Sequence, residues 1–278
     1  MKKNLWGLLI ALTMTVLQSC GELPPVRFSY FSQLIEMMAR QSGMSYYDAA
    51  KTIRDLGYEG IDCVYNIKPE NLKILDELGF QHACAIAHIN ITQGDYQEEL
   101  DKAIQFTQDH DFKQIMLVPG LYDETPTQAQ LDLLYQRWNA FVKKANSLGV
   151  TVLVECFDNM KSPIVNMAGI DKAMENVKGL KHAFDIGNFM FGGDDPMVAY
   201  KHFKPTIQHL HLKDRPESGK GFANVGLGAA PIREIISDMR HSGYKGWYVV
   251  ELYGSRNLLE DSRISMESLQ KILSEEEK

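Results

Sequence analysis

The chain has 278 residues and a net charge of −7, an acidic balance that argues against a nucleic-acid-binding protein. Three cysteines follow Cys20, and this odd number, without the spacing of a zinc site, excludes complete disulfide pairing among them. They are Cys63, Cys84 and Cys156, and all lie in apolar runs where buried free thiols are expected.

The amino terminus has the features of an export signal. Two lysines precede an apolar stretch, residues 5–17, that is too short to span a bilayer. The sequence Leu17-Gln18-Ser19-Cys20 then resembles a bacterial lipoprotein signal, in which the cysteine becomes the acylated first residue. We therefore expect a signal peptide over residues 1–19 and a tether over 20–25 that starts at lipidated Cys20. An ordinary signal peptide or an uncleaved anchor is the alternative.

This interpretation places the protein in a bacterial cell envelope, with its folded domain facing the periplasm or the cell surface. Several acyl chains on one cysteine would hold the protein to a membrane, because each buried methylene contributes about 0.8 kcal/mol. Contact with the membrane is expected through this lipid anchor only.

From residue 26 onwards, short apolar runs alternate with longer amphipathic stretches, the pattern of βα units on a parallel sheet. Eight strands are predicted. They cover residues 26–30, 60–65, 82–88, 114–118, 150–156, 182–186, 207–212 and 247–252.

The helices between these strands are marked by turn and cap residues. Ser45 followed by Asp48 predicts a helix start. Four helices are predicted to end on a glycine that can adopt positive φ, shortly before the next strand. These glycines are Gly57, Gly79, Gly149 and Gly243.

Eight strands with helical connections predict an α/β fold, a single-domain (β/α)8 TIM barrel over residues 26–278. An open, doubly wound sheet is the main alternative. No glycine-rich phosphate-binding fingerprint follows the first strand, which disfavours a dinucleotide-binding domain.

Four consecutive predicted strands each end with a polar residue after apolar ones. These residues are Glu155, Asp185, His211 and Glu251. Strands of a parallel barrel are buried on both faces, so charged residues at their carboxyl ends indicate a site at the face where barrel active sites form. Each residue alone could be a cap, an ion-pair partner or a core histidine.

Together, three acids at one barrel mouth would repel one another unless a cation held them. The set is rich in oxygen and has a single imidazole, which suits one divalent ion. We expect Mn²⁺, with Mg²⁺, Co²⁺ or Zn²⁺ as alternatives. One or two coordination positions would remain for the oxygens of an α-hydroxy ketone, which the ion would polarise as a Lewis acid.

In these motifs the chain resembles the xylose isomerase-like barrels, which include sugar phosphate isomerases/epimerases, ketose 3-epimerases and endonuclease IV. The resemblance covers residues 26–273. It rests on Val-Glu155, Phe-Asp185-Ile-Gly, His211-Leu-Lys-Asp and Val-Glu251-Leu. It implies that the four residues are metal ligands. In the epimerase branch, it also implies that Glu155 and Glu251 act as general acid and base on opposite faces of the substrate.

The chain departs from that family at Asn188. Family members commonly have Asp-x-x-His after the sixth strand, whereas an amide cannot exchange protons or readily ligate a metal. This departure weakens the expectation of standard epimerase activity. The loop after the seventh strand, Arg215-Pro216-Glu217-Ser218-Gly219, lacks the histidine that the nuclease needs.

Further candidates for substrate contact lie near the same strand ends: His88, Asp158, Asn188, Lys213 and Asp214. Each has a structural alternative, such as a capping role for His88 or a role in orienting His211 for Lys213 and Asp214. His209 is expected to pack one layer below His211. Four side chains are candidates either for a sugar pocket or for the ordinary barrel rim: Tyr30, Tyr65, Asn66 and Trp247.

Three functions remain open from the sequence. The first is a divalent-metal-dependent isomerase or epimerase acting on a non-phosphorylated sugar or ketosugar through an enediolate. The second is a lyase or hydratase that uses the same metal–enolate chemistry on a keto-sugar or keto-glycoside. The third is a non-catalytic sugar-binding lipoprotein on an inherited barrel.

Overall fold

The computed structural model describes residues 23–276. The predicted signal peptide and Cys20 lie outside these residues, so lipidation at Cys20 stays a prediction. Between residues 23 and 276, no helix combines the length and the apolar character needed to cross a membrane.

Eight parallel strands close into a barrel in which each strand pairs with its neighbours in chain order and β8 pairs with β1. The strands are β1 (Arg27–Phe31), β2 (Gly60–Val64), β3 (Gln81–His88), β4 (Gln114–Val118), β5 (Thr151–Glu155), β6 (Lys181–Asp185), β7 (Ile207–Leu212) and β8 (Trp247–Val250). The predicted (β/α)8 barrel is therefore confirmed, and the open sheet is wrong. The predicted strand ends differ from the observed ones by no more than two residues.

Helices cover the outside of the barrel. They are α1 (Ser32–Ser42), α2 (Tyr46–Asp55), α3 (Pro69–Glu77), α4 (Gln97–Asp109), α5 (Gln128–Ser147), α6 (Met167–Asn176), α7 (Ile186–Gly192), α8 (Pro196–Phe203), α9 (Ile232–His241) and α10 (Leu258–Glu276). A short 3-10 helix, Lys204–Thr206, leads into β7. Residues at strand ends and in the loops that follow them build the carboxyl-terminal face of the barrel.

The predicted helix boundaries are confirmed by local geometry. Ser45 Oγ accepts a hydrogen bond from the backbone N–H of Asp48 and begins α2. The four glycines that were predicted to end helices all have positive φ, between 75° and 103°. The three cysteines within the described residues are buried and free, as expected.

His182 is a buried polar residue whose surroundings offer it no hydrogen bond. Its ring packs against Phe184, Phe189 and Phe203, with centroids 5.5, 5.9 and 4.7 Å away. Neither ring nitrogen has a hydrogen-bond partner among the described residues. Burial lowers the pKa of His182 to about 3, so the folded protein keeps this ring neutral.

We expect a His182→Phe variant to be more stable than the native protein, by about 1–2 kcal/mol at neutral pH, because two unsatisfied buried nitrogens are removed. Between the ordinary pKa and about 3, the unfolded chain binds a proton that the folded chain does not, so His182 costs more stability as pH falls. The difference should therefore grow by about 2 kcal/mol between pH ~7.5 and pH ~5. Urea unfolding at both pH values measures it. A stability difference that does not change with pH would contradict the lowered pKa of His182. The same substitution at exposed His202, His202→Phe, is the control.

Candidate metal centre and active-site cavity

The carboxyl ends of β5 to β8 bring the four predicted ligands together. Glu155 and Asp185 are the last residues of β5 and β6, His211 lies one residue before the end of β7, and Glu251 directly follows β8. One potential ligand atom from each side chain lies within 4.8 Å of those of the others. All four residues are at most 6% exposed, so the group is a buried cluster rather than a surface patch of charge.

The imidazole of His211 lies at the centre of this cluster. Its Nδ1 is 2.5 Å from Glu155 Oε1 and 3.4 Å from Glu251 Oε2. The ring is held edge-on against Phe31, with centroids 5.1 Å apart. Nδ1 is therefore the nitrogen that points towards the carboxylates.

Asp185 contributes one oxygen to the fold and leaves the other free. Its Oδ1 accepts a hydrogen bond from the backbone N–H of Asn188 at 2.8 Å and caps α7. Its Oδ2 is buried, has no hydrogen-bond partner among residues 23–276, and lies 4.0 Å from Lys213 Nζ. A buried carboxylate oxygen without a partner is costly unless a cation or a proton occupies the space beside it.

Burial and the neighbouring charges shift the pKa values of the cluster residues in opposite directions. Burial raises the pKa of Glu155 and of Asp185, and the charge of Glu251 raises both further. Burial acts the same way on Glu251, but Lys213 and His211 outweigh it and lower the pKa of Glu251. Burial disfavours the charged forms of His211 and Lys213, yet the nearby carboxylates raise the pKa of both. These shifts favour protonated forms of Glu155, Asp185, His211 and Lys213, so bound protons reduce the net negative charge of the cluster.

This donor set fits a divalent cation. Three carboxylates and one imidazole suit Mn²⁺ or Mg²⁺, and Co²⁺ or Zn²⁺ can bind the same atoms. A cation would give Asp185 Oδ2 the partner that it lacks and would replace the protons that balance the acids. The residues to hold it are Glu155, Asp185, His211 and Glu251.

A cavity of about 350 Å³ opens beside the cluster, a size typical of small-molecule sites. Glu155 and Glu251 form part of its wall. Its apolar lining residues are Phe31, Ile86, Met116, Phe157 and Tyr253, and its other polar ones are Gln33, His88, Asp158, Asn188 and Lys213. Four of the five predicted substrate contacts, His88, Asp158, Asn188 and Lys213, thus lie at this cavity.

Lys213 connects the cavity wall to the cluster. Its Nζ lies 2.6 Å from Glu251 Oε1 and 2.9 Å from Asp158 Oδ2. Arg215 Nη2 lies 2.6 Å from the same Asp158 oxygen. The cavity wall therefore carries the Lys213 ammonium, paired with Glu251 and Asp158, and Arg215 holds Asp158 from outside the cavity lining.

The amide of Asn188 is held by the protein itself. Its Nδ2 donates to the backbone oxygen of Cys156 at 2.8 Å, and its Oδ1 accepts from Arg215 Nη2 at 3.3 Å. Asn188 thus lies at the cavity with both amide atoms already in contact with protein groups.

Asp214, the fifth predicted substrate contact, does not line this cavity. Its oxygens accept four backbone N–H groups, from Arg215 (2.8 Å), Gly226 (2.9 Å), Gly228 (2.9 Å) and Ala230 (3.0 Å). Asp214 is buried and outside the cavity lining, and it makes no contact with His211 in the described hydrogen bonds. It organises the loop between β7 and α9 instead.

The same arrangement explains why positions 226 and 228 are both glycine. Gly226 has a φ of +80°, and a Cβ at Gly228 would lie 2.2 Å from Asp214 Oδ1. Glycine at these positions lets the backbone approach the carboxylate closely enough for hydrogen bonding.

None of the four aromatic or amide candidates for the sugar pocket lines this cavity. Tyr30 is buried and its hydroxyl pairs with Ser262, and the Tyr65 hydroxyl donates to Glu99. Trp247 begins β8 at the opposite end of the barrel and packs against the Arg27 guanidinium. Asn66 lines a different surface pocket.

Two functional candidates were missed from the sequence. Arg215 is buried and ties Asp158 to the backbone oxygen of Gly187. Asp62 lies fully buried in β2 beside His209. A charged residue within an apolar strand was the available signal for Asp62, and the same signal predicted the four candidate metal ligands.

Asp62, Cys84 and His209 form a second group of potential ligand atoms, one layer deeper in the barrel. A hydrogen bond explains why Asp62 and His209 lie together, since His209 Nε2 is 2.6 Å from Asp62 Oδ2. This contact is compatible with the expected packing role of His209. Burial raises the pKa of the Cys84 thiol well above its usual value, which disfavours the thiolate a metal would need. Burial also opposes the charge on Asp62, but the two histidines lower its pKa to about 2.

Comparison with known proteins agrees with this fold. The sequence profile of the xylose isomerase-like TIM barrel family matches residues 50–272, and the chain belongs to this family. This is a family of enzymes. Proteins similar to this chain include dehydratases and isomerases or epimerases.

One similar curated protein is inosose dehydratase 1 of Bacillus cereus, 27% identical over 165 residues that cover 52% of this chain and 54% of the relative. The chain spans about half the length of the curated relatives it matches. A probable 3-DHS dehydratase from Bacillus anthracis has a similar structure, with a TM-score of 0.73, 16% identity, and coverage of 88% of this chain and 99% of that one. An L-ribulose 3-epimerase structure has a TM-score of 0.70 at 17% identity, and the match covers 90% of this chain and 95% of that one. At these identities, the structural likenesses show the fold alone.

Proposed function

We propose that the protein is a divalent-metal-dependent lyase that removes a β-substituent, water in the simplest case, from a polyhydroxylated ketone such as a keto-sugar. The likeness in sequence to inosose dehydratases supports a reaction of this type. The metal is proposed to be Mn²⁺ at the four-residue cluster, with Mg²⁺, Co²⁺ or Zn²⁺ as alternatives.

The observation that carries this proposal is that the two glutamates have different partners. Glu155 contacts the His211 imidazole, whereas Glu251 is paired with the Lys213 ammonium at 2.6 Å. Epimerisation needs two groups that can each take and return a proton on opposite faces. Elimination needs a base at one carbon and a proton source for the leaving oxygen. Glu155 provides the base, and the Lys213 ammonium beside Glu251 provides the proton.

In the proposed mechanism, the bound ion would polarise the ketone oxygen as a Lewis acid and stabilise the negative charge that develops there. Glu155 removes the proton from the carbon next to the ketone. The electron pair of that C–H bond forms a C=C bond as the C–O bond to the β-substituent breaks. Lys213 donates a proton to the departing oxygen, and Glu251 and Asp158 hold its ammonium in place.

An isomerase or epimerase is the second candidate, since one observation favours it. Both glutamates lie close to His211 Nδ1, at 2.5 and 3.4 Å, so a substrate at the cluster would meet two carboxylates. The amide of Asn188 counts against this candidate, because it occupies the position of the family's usual histidine and is held by Cys156 and Arg215. A sugar-binding lipoprotein without activity is the third candidate.

Export and lipid attachment through Cys20 are part of the proposal. They favour a non-phosphorylated substrate, because free sugar phosphates are chiefly intracellular. Substrate would reach the cavity from the periplasm or from the medium.

The test uses purified protein loaded with Mn²⁺ and incubated in D₂O with a panel of inososes, keto-sugars and keto-glycosides. Elimination is expected to release the β-substituent and leave an unsaturated or diketo product, followed by mass spectrometry and near-ultraviolet absorbance. A Glu155→Gln variant is the matched control, and we expect its turnover to fall by about 10³-fold or more, as for loss of a catalytic base.

A product that keeps every atom of the substrate except one hydrogen replaced by deuterium would establish the epimerase instead and reject the lyase. Tight sugar binding by calorimetry with no product from any substrate would support the binding lipoprotein.

A further inference from the structure

Directly below the metal centre, Asp62 is enclosed inside the barrel with both of its oxygens in hydrogen bonds. Ser29 Oγ donates to Oδ1 at 2.7 Å, and His209 Nε2 lies 2.6 Å from Oδ2. Asp62, Ser29 and His209 are each 0% exposed. Burying a carboxylate costs free energy unless polar partners compensate for the lost water. The presence of Asp62 inside the barrel therefore points to a specific role.

The hydrogen-bond chain identifies which nitrogen of His209 carries hydrogen. Gln114 Nε2 donates to the backbone oxygen of Ala83 at 3.0 Å and lies 2.9 Å from His209 Nδ1. A backbone carbonyl only accepts, so this Gln114 atom is the amide nitrogen, and His209 Nδ1 accepts from it. Nε2 therefore carries the hydrogen and donates to Asp62, and His209 is fixed without needing a positive charge.

The ring of His211 extends from the cluster towards the same carboxylate. Its Nδ1 faces Glu155 and Glu251. Its Nε2 is buried and has no hydrogen-bond partner among the described residues, and Asp62 Oδ2 lies 3.7 Å away. A neutral imidazole that offers Nδ1 to a metal carries its hydrogen on Nε2, and this hydrogen would lie beside Asp62.

We propose that Asp62 is a positioning residue that accepts the Nε2 hydrogen of His211 and so holds the ring in the tautomer that presents Nδ1 to the metal. This inference rests on the metal site of the proposed function. The 3.7 Å separation between Nε2 and Asp62 Oδ2 places the carboxylate within electrostatic reach of this hydrogen. Ser29 and His209 hold the Asp62 carboxylate, and Gln114 holds His209. These hydrogen bonds beneath the site thereby set the orientation of the His211 ring through Asp62.

The first test compares the Mn²⁺ affinity of the native protein with that of Asp62→Asn, by competition with a chromophoric chelator and without substrate. We expect the Kd to rise about 10- to 100-fold, the usual effect of losing the hydrogen-bond partner of a metal-bound histidine. With Co²⁺, the visible absorption bands should shift, because the geometry at the ion changes.

Ser29→Ala is the matched control. It removes one hydrogen bond to Asp62 but leaves the carboxylate facing His211, so we expect a Kd within about threefold of the native value, the scale of one neutral hydrogen bond. A merely structural role for Asp62 would lower the thermal stability of both variants and leave the Kd of the folded protein unchanged. Asp62→Asn with native affinity and native cobalt bands would overturn the inference while leaving the lyase proposal intact. Native protein without metal affinity would overturn both.

A measurement on the native protein decides the matter if Asp62→Asn does not fold. With ¹⁵N-labelled histidine and bound Mg²⁺, the imidazole spectrum should show His211 with a slowly exchanging hydrogen on Nε2 and none on Nδ1. The signal is assigned by its absence in His211→Gln. A hydrogen on Nδ1, or coordination through Nε2, would refute the role of Asp62.

Discussion

An Asp185→Asn variant is expected to lose divalent-metal binding and turnover while its metal-free form remains at least as stable as the native protein. The amide keeps the Oδ1 atom that caps α7. It removes the negative charge on Oδ2, which is buried without a hydrogen-bond partner among residues 23–276. Because burial and the charge of Glu251 disfavour the ionised form, the change relieves a cost that a cation or a proton would otherwise offset.

We expect metal affinity to fall by more than about 100-fold, beyond what loss of an outer partner causes. Turnover should fall by about 10³-fold or more, equivalent to about 4 kcal/mol of lost transition-state stabilisation. Calorimetric titration with Mn²⁺ measures the first effect. Thermal unfolding with and without Mn²⁺ measures the stability, and saturating metal should stabilise the native protein by about 3 kcal/mol at roughly 100 times its Kd.

Asp194→Asn is the control for this prediction. Asp194 lies beyond α7, outside the cluster, and accepts one hydrogen bond from the Met167 backbone that an amide oxygen can also accept. Its variant should bind Mn²⁺ as the native protein does. Equal metal binding by Asp185→Asn and the native protein would remove the basis for the metal site.

The same chemical change at Asp214 should have the opposite effect on stability. Asp214 accepts two backbone N–H groups on each oxygen, so an amide in either orientation would direct its NH₂ group at two donors. Each unsatisfied buried donor costs about 1–3 kcal/mol, and we expect Asp214→Asn to lose about 2–5 kcal/mol of unfolding free energy. The loop between β7 and α9 should also become sensitive to proteases.

Glu217→Gln, an exposed acid-to-amide change in the same loop, is the matched control and should unfold as the native protein does. Urea unfolding gives the free energies, and limited proteolysis followed by mass spectrometry locates the cleavage. An Asp214→Asn protein with a native unfolding midpoint and a resistant loop would show that the four hydrogen bonds contribute little.

The barrel and the proximity of the four candidate metal ligands could be predicted from the sequence because both depend on local patterns. Alternating apolar runs and helix-ending glycines such as Gly57 mark each βα unit. Glu155, Asp185, His211 and Glu251 share a position at the ends of consecutive strands, and a closed parallel barrel brings such positions to one face. No long-range information beyond strand order is needed.

Asp214 and Asp62 show where that reasoning ends. Asp214 follows a strand end just as the ligands do, but three of its four hydrogen bonds come from N–H groups 12 to 16 residues further on, in a loop whose conformation the pattern does not encode. Asp62 pairs with His209, 147 residues away across the barrel interior. Strand pairing predicts neighbours, whereas contacts across the interior depend on barrel stagger and side-chain direction.

The order of the site along the chain bears on how such a barrel can be redesigned. The proposed ligands all follow the long helix α5, whereas Phe31, Ile86, His88 and Met116 of the cavity wall all precede it. Asp158, Asn188 and Lys213 of the same wall follow α5 together with the ligands. Recombination within α5 would therefore join the half of one barrel that holds the metal and part of the cavity wall to the half of another barrel that supplies the rest of the wall. One side of the cavity could then be exchanged without changing the ligands, with the crossover on the outer surface of the fold.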